Sequence, residues 1–497
     1  MREPGVPPES TEPPVPHEPD VDARNRAAWA AAAQWGRGET MNELEATMWR
    51  AERHPQQSST ICSLMILDRA PDWQRLVAAH DWATSLVPRT RQRVIEPLLP
   101  TGPPAWVADR HFTLGYHLRR EQLGLRNGLD DLHELVSLLA ITPFDRTRPL
   151  WEATLIEGLE PEPGTRTPRA AYFLKLHHSL TDGVGAVQLL TALHSRTRRH
   201  TSDKPVAAQA VSDDEGPDRL SVTVDGVVRT AQAVPGLALG LAQAGRRVVT
   251  DPTGAASSGL RFAASLRRVL SPPAAAPSPL FAGRDGRRWV LRTLECPLAA
   301  LRSAGHAAGG SVNDAYLAVL LGGLRRYHER HGVAIEELPI TVPVSLRRAD
   351  DPMGGNRFAG AMLSGPIGIV DPADRIAAIR GAVLSQLNEP ALDSFSVLTP
   401  LANRLPSAVG AAVISFGARA DLAASNVPGA SEPVFLAGAR VVRVYPFGPL
   451  PGVALMAAML SHVGTCCIGL TIDAAAVPDD DVLMECLADG LAEVLAP

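Results

Sequence analysis

Cysteine is scarce in this chain of 497 residues: Cys62, Cys296, Cys466, Cys467 and Cys486 are odd in number and lack the spaced pairs of a zinc site. Their scarcity excludes a disulfide-built scaffold and points to free thiols in a reducing compartment. Long apolar runs are also missing, so no transmembrane helix is expected. The N-terminus carries glutamates and prolines where a secretory signal would place a basic stretch followed by an apolar one. Nor is there an excess of basic charge: 48 Lys and Arg face 53 Asp and Glu, for a net charge of -5, which argues against a general nucleic-acid binder. These absences together describe a cytoplasmic protein.

What is present is ordinary for a globular protein, with 45% hydrophobic and 20% charged residues. The length is too great for one core, and two domains are expected. Residues 1–20 hold seven prolines and almost no large apolar side chains, so 1–40 reads as a disordered or weakly structured tail, with a short helix over 22–36 around Trp29 and Trp35. An N-terminal domain then spans 41–200, and a C-terminal one 286–497. Between them, 201–285 is a crossover, acidic near Ser212 to Asp218 and then alanine-rich, with arginine pairs at Arg246-Arg247 and Arg267-Arg268. Helices over 220–270 would suit either an anionic membrane surface or packing on the protein with a solvated arginine face.

The stretch Leu174-Lys-Leu-His-His-Ser-Leu-Thr-Asp-Gly-Val-Gly185 carries the chemistry. An apolar run over 170–176 predicts a buried strand, and Val184, Val187, Leu190 and Leu193 recur at helical spacing. His177, His178, Asp182 and Gly183 therefore occupy a strand-to-helix loop, with Asp182 where a helix N-terminus favours a carboxylate. An imidazole titrates near neutrality and can take a proton from an alcohol or thiol. Taken alone, two adjacent histidines after a strand also fit a plain polar loop. Ser179 beside a histidine suggests a nucleophile, but no glycine-flanked elbow surrounds it.

Two histidines, three residues, then Asp-Gly resembles the signature of the CoA-dependent acyltransferase superfamily. Asp145-Arg-Thr-Arg-Pro-Leu-Trp151, Asn313-Asp314, Val342-Pro-Val-Ser-Leu-Arg347 and Ser425-Asn-Val-Pro-Gly429 are similar to further blocks of the bacterial wax ester synthase/diacylglycerol acyltransferase family. Read without the family, Pro149-Leu-Trp151 is a strand entry with an aromatic anchor, Ser311 and Asp314 form a capping box, and Ser425 to Gly429 is a turn. One departure stands near the C-terminus: Gly452-Val-Ala-Leu-Met-Ala-Ala458 and Ser461-His462 replace the family's usual histidine- and asparagine-bearing strand and Ser-Tyr turn.

The resemblance implies an α/β fold of two similar domains with mixed sheets and an active-site channel between them. It also implies transfer from long-chain acyl-CoA to diacylglycerol or a long-chain alcohol, without cofactor or metal. His178 would be the base; His177, Asp182, Gly183 and Asn313 would support it. Asp182 would pair with an arginine, Arg347 first, then Arg348 or Arg148. Contact with a membrane face or lipid droplet is compatible with this reading. The alternatives are a condensation or polyketide-associated acyltransferase with another acceptor, or a catalytically silent lipid-binding relative.

Overall fold

The computed structural model describes residues 26–27, 29–53, 57–124, 126–199, 216–229, 231–232, 275–345, 354–356, 358–387 and 420–496. Arg347, Arg348 and the arginine pairs of the crossover lie outside them.

Two mixed sheets form the body. In the first, seven strands run in the order β4(Leu118–Gln122), β5(Trp151–Leu159), β6(Arg169–His177), β1(Thr60–Leu67), β13(Ala439–Phe447), β12(Phe435–Leu436) and β7(His194–Ser195). The second orders six strands as β10(Phe358–Gly365), β9(Leu338–Ser345), β11(Leu422–Val427), β14(Leu455–His462), β15(Thr465–Asp473) and β8(Trp289–Pro297). Parallel pairs β4/β5, β11/β14 and β11/β9 sit among antiparallel ones.

The pleat explains why the central strands are largely apolar. Along β1, Met65 and Leu67 join one core cluster, with Leu76 and Ala83 of α2(Trp73–Leu86). Their neighbours Leu64 and Ile66 join another, with Leu291, Met456 and Cys467 of the second sheet. Successive side chains point to opposite faces, so a strand buried on both is apolar at most positions. The same alternation sends Leu455, Ala457 and Met459 of β14 away from the first sheet, under α6(Val312–Arg330) and α8(Asp480–Leu495). Further helices are α3(Leu129–Ile141), α5(Leu298–Ala307) and α7(Pro372–Leu387). Ser311 and Asp314 do close a capping box at the start of α6.

Two segments reach across the boundaries drawn from the sequence. Strand β13 belongs by sequence to 286–497, yet it pairs with β1 from Cys62↔Phe447 to Leu67↔Val441, inside the first sheet. The tail assigned to 1–40 contributes Ala32 and Trp35, 3% and 1% exposed, to the first core. Of the crossover, helical residues 219–229 pack on the first domain, where Thr223 accepts from Leu98 N–H at 2.7 Å. Its far end joins the second, where Ser278 meets His328 at 2.7 Å and its N–H donates to Asp421 at 2.6 Å. Ser425 to Val427, expected in a turn, extend β11 along its parallel neighbour β14. All five cysteines are buried free thiols.

Three histidines make the packing acid-sensitive. His80 of α2 faces Tyr172 Oη of β6 at 2.6 Å; His133 faces Thr293 Oγ1 across to β8 at 3.2 Å. Burial pushes His80, His133 and His194 down to about 4. Unfolded histidine titrates at about 6.5, so below that pH the unfolded chain takes up protons that the folded one refuses. Stability should therefore fall as pH drops from about 6.5 to about 4, by up to about 1.4 kcal/mol per unit and group, and change no further through these groups below that. Urea midpoints measured across this range check the expectation, and a flat profile would contradict it.

Candidate active site

Strand β6 ends at His177, and α4(Gly183–Leu193) begins six residues later. The loop between them is pinned at both ends. His178 N–H donates to Ser59 O at 2.6 Å, and Asp182 N–H to Gly355 O at 3.3 Å. Asp182 is the N-cap of α4, its Oδ1 accepting from Gly185 N–H at 2.9 Å. Gly183 gives space to the second half of the chain: a Cβ there would lie 3.0 Å from Val427 Cγ2 of β11.

The two histidines have separate duties. His177 is wholly buried, its Nε2 2.7 Å from Glu52 Oε2 and its Nδ1 2.6 Å from Ser179 Oγ. Ser179 N–H also donates to that Nδ1, at 3.0 Å, so Nε2 carries the proton toward Glu52. Burial alone would raise the Glu52 carboxyl; His177, with Ser59 N–H and Arg146, outweighs it and holds the group below its ordinary value. Serine, histidine and glutamate thus line up as in a nucleophilic triad, but Ser179 is 0% exposed and no substrate can reach it. Trp49 and Phe144 stand edge-on to the His177 ring and complete a structural strut.

His178 is partly exposed, beside the Phe358 ring at 5.3 Å. Its Nδ1 lies 2.8 Å from Asn356 Oδ1, and Asn356 Nδ2 donates to His178 O at 2.7 Å. An amide oxygen only accepts, so Nδ1 bears the proton and Nε2 is left with its lone pair. Burial lowers the pKa of this imidazole from its ordinary value, partly offset by the Asn356 bond, and keeps it neutral further into acid.

Asn356 is the residue that sequence reasoning missed. It follows Gly354 and Gly355, whose φ of 77° and 70° belong to the left-handed region, and is 4% exposed. A glycine pair favours a turn, but nothing local says what that turn delivers. Of the other expected residues, Asn313 sits in the first turn of α6 and makes none of the hydrogen bonds around His178. Arg148 pairs with Asp145 at 3.3 Å and lies over Tyr116. Two cavities, of about 300 and 410 Å³, include Trp106 and Arg229, and Arg93 and Arg148, in their walls; neither contains His178 or Asn356. No group of His, Cys, Asp or Glu among the described residues could hold a metal, and no helix among them is long and apolar enough to cross a membrane.

A histidine-bearing loop at the seam of two mixed sheets defines the class, an acyltransferase of the CoA-dependent fold. Residues 41–316 match the wax ester synthase/diacylglycerol acyltransferase catalytic domain and 354–494 its C-terminal domain, so the chain belongs to that family and is an O-acyltransferase. A Mycobacterium tuberculosis protein, provisionally named a diacylglycerol O-acyltransferase, is 38% identical over 465 residues, covering 92% of this chain and 91% of its own. The wax ester synthase/diacylglycerol acyltransferase of Marinobacter aquaeolei VT8 superposes with a TM-score of 0.61 at 22% identity, over 92% of this chain and 98% of that one. The starter condensation domain of rhizomide synthetase shares the fold at 0.55 and 11%, over 92% and 94%. The catalytic-domain match runs into α6, past the boundary at 286 drawn from sequence.

Proposed function

We propose that this enzyme transfers a long-chain acyl group from CoA to the hydroxyl of diacylglycerol or a long-chain alcohol, forming triacylglycerol or wax ester, with His178 as general base. The observation that carries this reading is the Nδ1–Asn356 bond, which leaves Nε2 free to accept a proton. His178 Nε2 takes the hydroxyl proton as the oxygen attacks the thioester carbonyl. The C–S bond then breaks, and the imidazolium returns its proton to the departing thiolate. Transfer is direct: Ser179 is sealed, and the cysteines are buried. His177, Asp182 and Gly183 hold the loop, and Arg347 remains the proposed partner of Asp182. Both substrates are amphiphiles, which suits work at the cytoplasmic membrane face or a lipid droplet.

Purified enzyme given a panel of acyl-CoAs with diacylglycerol, long-chain alcohols and amines, with free thiol followed, tests the proposal. Acceptor-dependent thiol release with the hydroxyl acceptors is expected. Release with amines alone would favour a condensation-type acceptor, and slow hydrolysis indifferent to any acceptor would overturn the reading.

A further inference from the structure

Helix α1(Glu43–Ala51) opens with a capping box: Asn42 Oδ1 accepts from Glu45 N–H at 2.9 Å, and Glu45 Oε2 accepts from Asn42 N–H at 2.9 Å. A helix start needs nothing more. Both residues nevertheless hold a second partner, the same one. Glu45 Oε1 accepts from Asn356 N–H at 3.0 Å and lies 3.5 Å from Asn356 Nδ2, while Asn42 Nδ2 donates to Asn356 O at 3.1 Å. The backbone N–H, carbonyl and side-chain amide of Asn356 are thus all engaged by one helix cap. Glu45 is 6% exposed, an expensive place for a carboxylate whose only task is capping.

We infer that Glu45 is a positioning residue for the base: by clamping Asn356 it keeps the amide oxygen, and never the NH2, against His178, which fixes the imidazole in the tautomer with a free Nε2. This rests on the reading of His178 as base. The two ends of an asparagine amide have nearly the same shape, so shape alone does not set which one faces the ring. In the flipped amide, Oδ1 would confront the Glu45 carboxylate and the His178 carbonyl, acceptors against acceptors. Nδ2 would then face His178 Nδ1, the proton would move to Nε2, and the base would be occupied. A carboxylate, which has no donor while ionised, penalises that flip more than a neutral group can. Gly355 leaves room for the clamp, since a Cβ there would come 3.2 Å from Glu45 Oε1.

The test is Glu45→Gln, alone and with Asn356→Asp. Alone, it should lower kcat by about 10–100-fold, the usual cost of losing a group that orients an imidazole, with KM for acyl-CoA unchanged. In 15N spectra of histidine-labelled enzyme, the His178 signals should move from the pure Nδ1–H pattern to a mixture. Asn356→Asp alone sets two carboxylates face to face and should be poorly active. Combined with Glu45→Gln, the introduced aspartate can only accept from Nδ1 and receives a donor from the glutamine, so the double variant should be more active than Asn356→Asp. A double variant no better than Asn356→Asp, or an unchanged His178 spectrum in Glu45→Gln, would overturn the inference. Near-normal turnover in His178→Ala would remove the base itself; an inert His178→Ala beside a fully active Glu45→Gln would remove the clamp alone.

Discussion

Replacing His178 with alanine should cut acyl transfer by about 10²–10⁴-fold, the usual worth of a general base, and leave the fold standing. The residue is only half-buried, so its truncation should leave the packing standing. What disappears is the lone pair on Nε2. Because burial holds the wild-type pKa below the ordinary histidine range, kcat/KM should persist to lower pH than a solvent-exposed imidazole would allow, then fall as the ring takes up its proton. His177→Ala should behave oppositely. It leaves Glu52 without its imidazole and Ser179 without its acceptor, so the melting temperature should drop more, in proportion, than turnover. Thiol-release kinetics beside thermal melts separate the two, and reversed effects would exchange the roles of the histidines.

Gly469→Ala should destabilise the protein by about 1–3 kcal/mol or more, as expected for overpacking at a site that cannot yield. A Cβ on Gly469 of β15 would lie 1.9 Å from Pro446 O and 2.9 Å from Pro446 C, both backbone atoms of β13. No rotamer relieves such a contact; the two sheets would have to separate. Between those sheets lie Leu64, Phe173, Leu291 and Met456, so separation would loosen a core. Gly381→Ala is the control: within α7 a Cβ there meets nothing, and alanine should raise stability by up to about 1 kcal/mol. Equal melting temperatures for the two variants would mean that the sheets slide past one another freely.

The loop of the site was legible because its signals are local. A run of apolar residues, a histidine pair, Asp182 at an N-cap and helical spacing after it all fall between residues 170 and 193. The capping signal Asn42-x-x-Glu45 is equally local, but its second duty is not, because nothing in either stretch says that residue 356 will fold against residue 45. Strand β11 hid for another reason: the Pro and Gly just after Val427 argue for a turn, while pairing with Ala458 and Met459 of β14 draws Ser425 and Asn426 into the sheet. Trp35 was hidden by its setting, downstream of a proline-rich tail, yet its Nε1 donates to Gly185 O at 3.2 Å and ties that segment to the active-site helix. Nothing within β13 says which sheet will receive it, so its place beside β1 is a matter of topology alone.

That placement governs how the chain can be born. During synthesis β1 and β6 emerge early, but the other neighbour of β1 is made only when Phe447 leaves the ribosome. Until then an apolar strand at the centre of the future sheet presents an open edge, the kind that recruits strands from other molecules. Folding of the first half therefore waits on the second. A chain interrupted anywhere before Phe447 should aggregate instead of yielding a smaller working domain, and high-level production should depend on chaperones that hold the early strands apart.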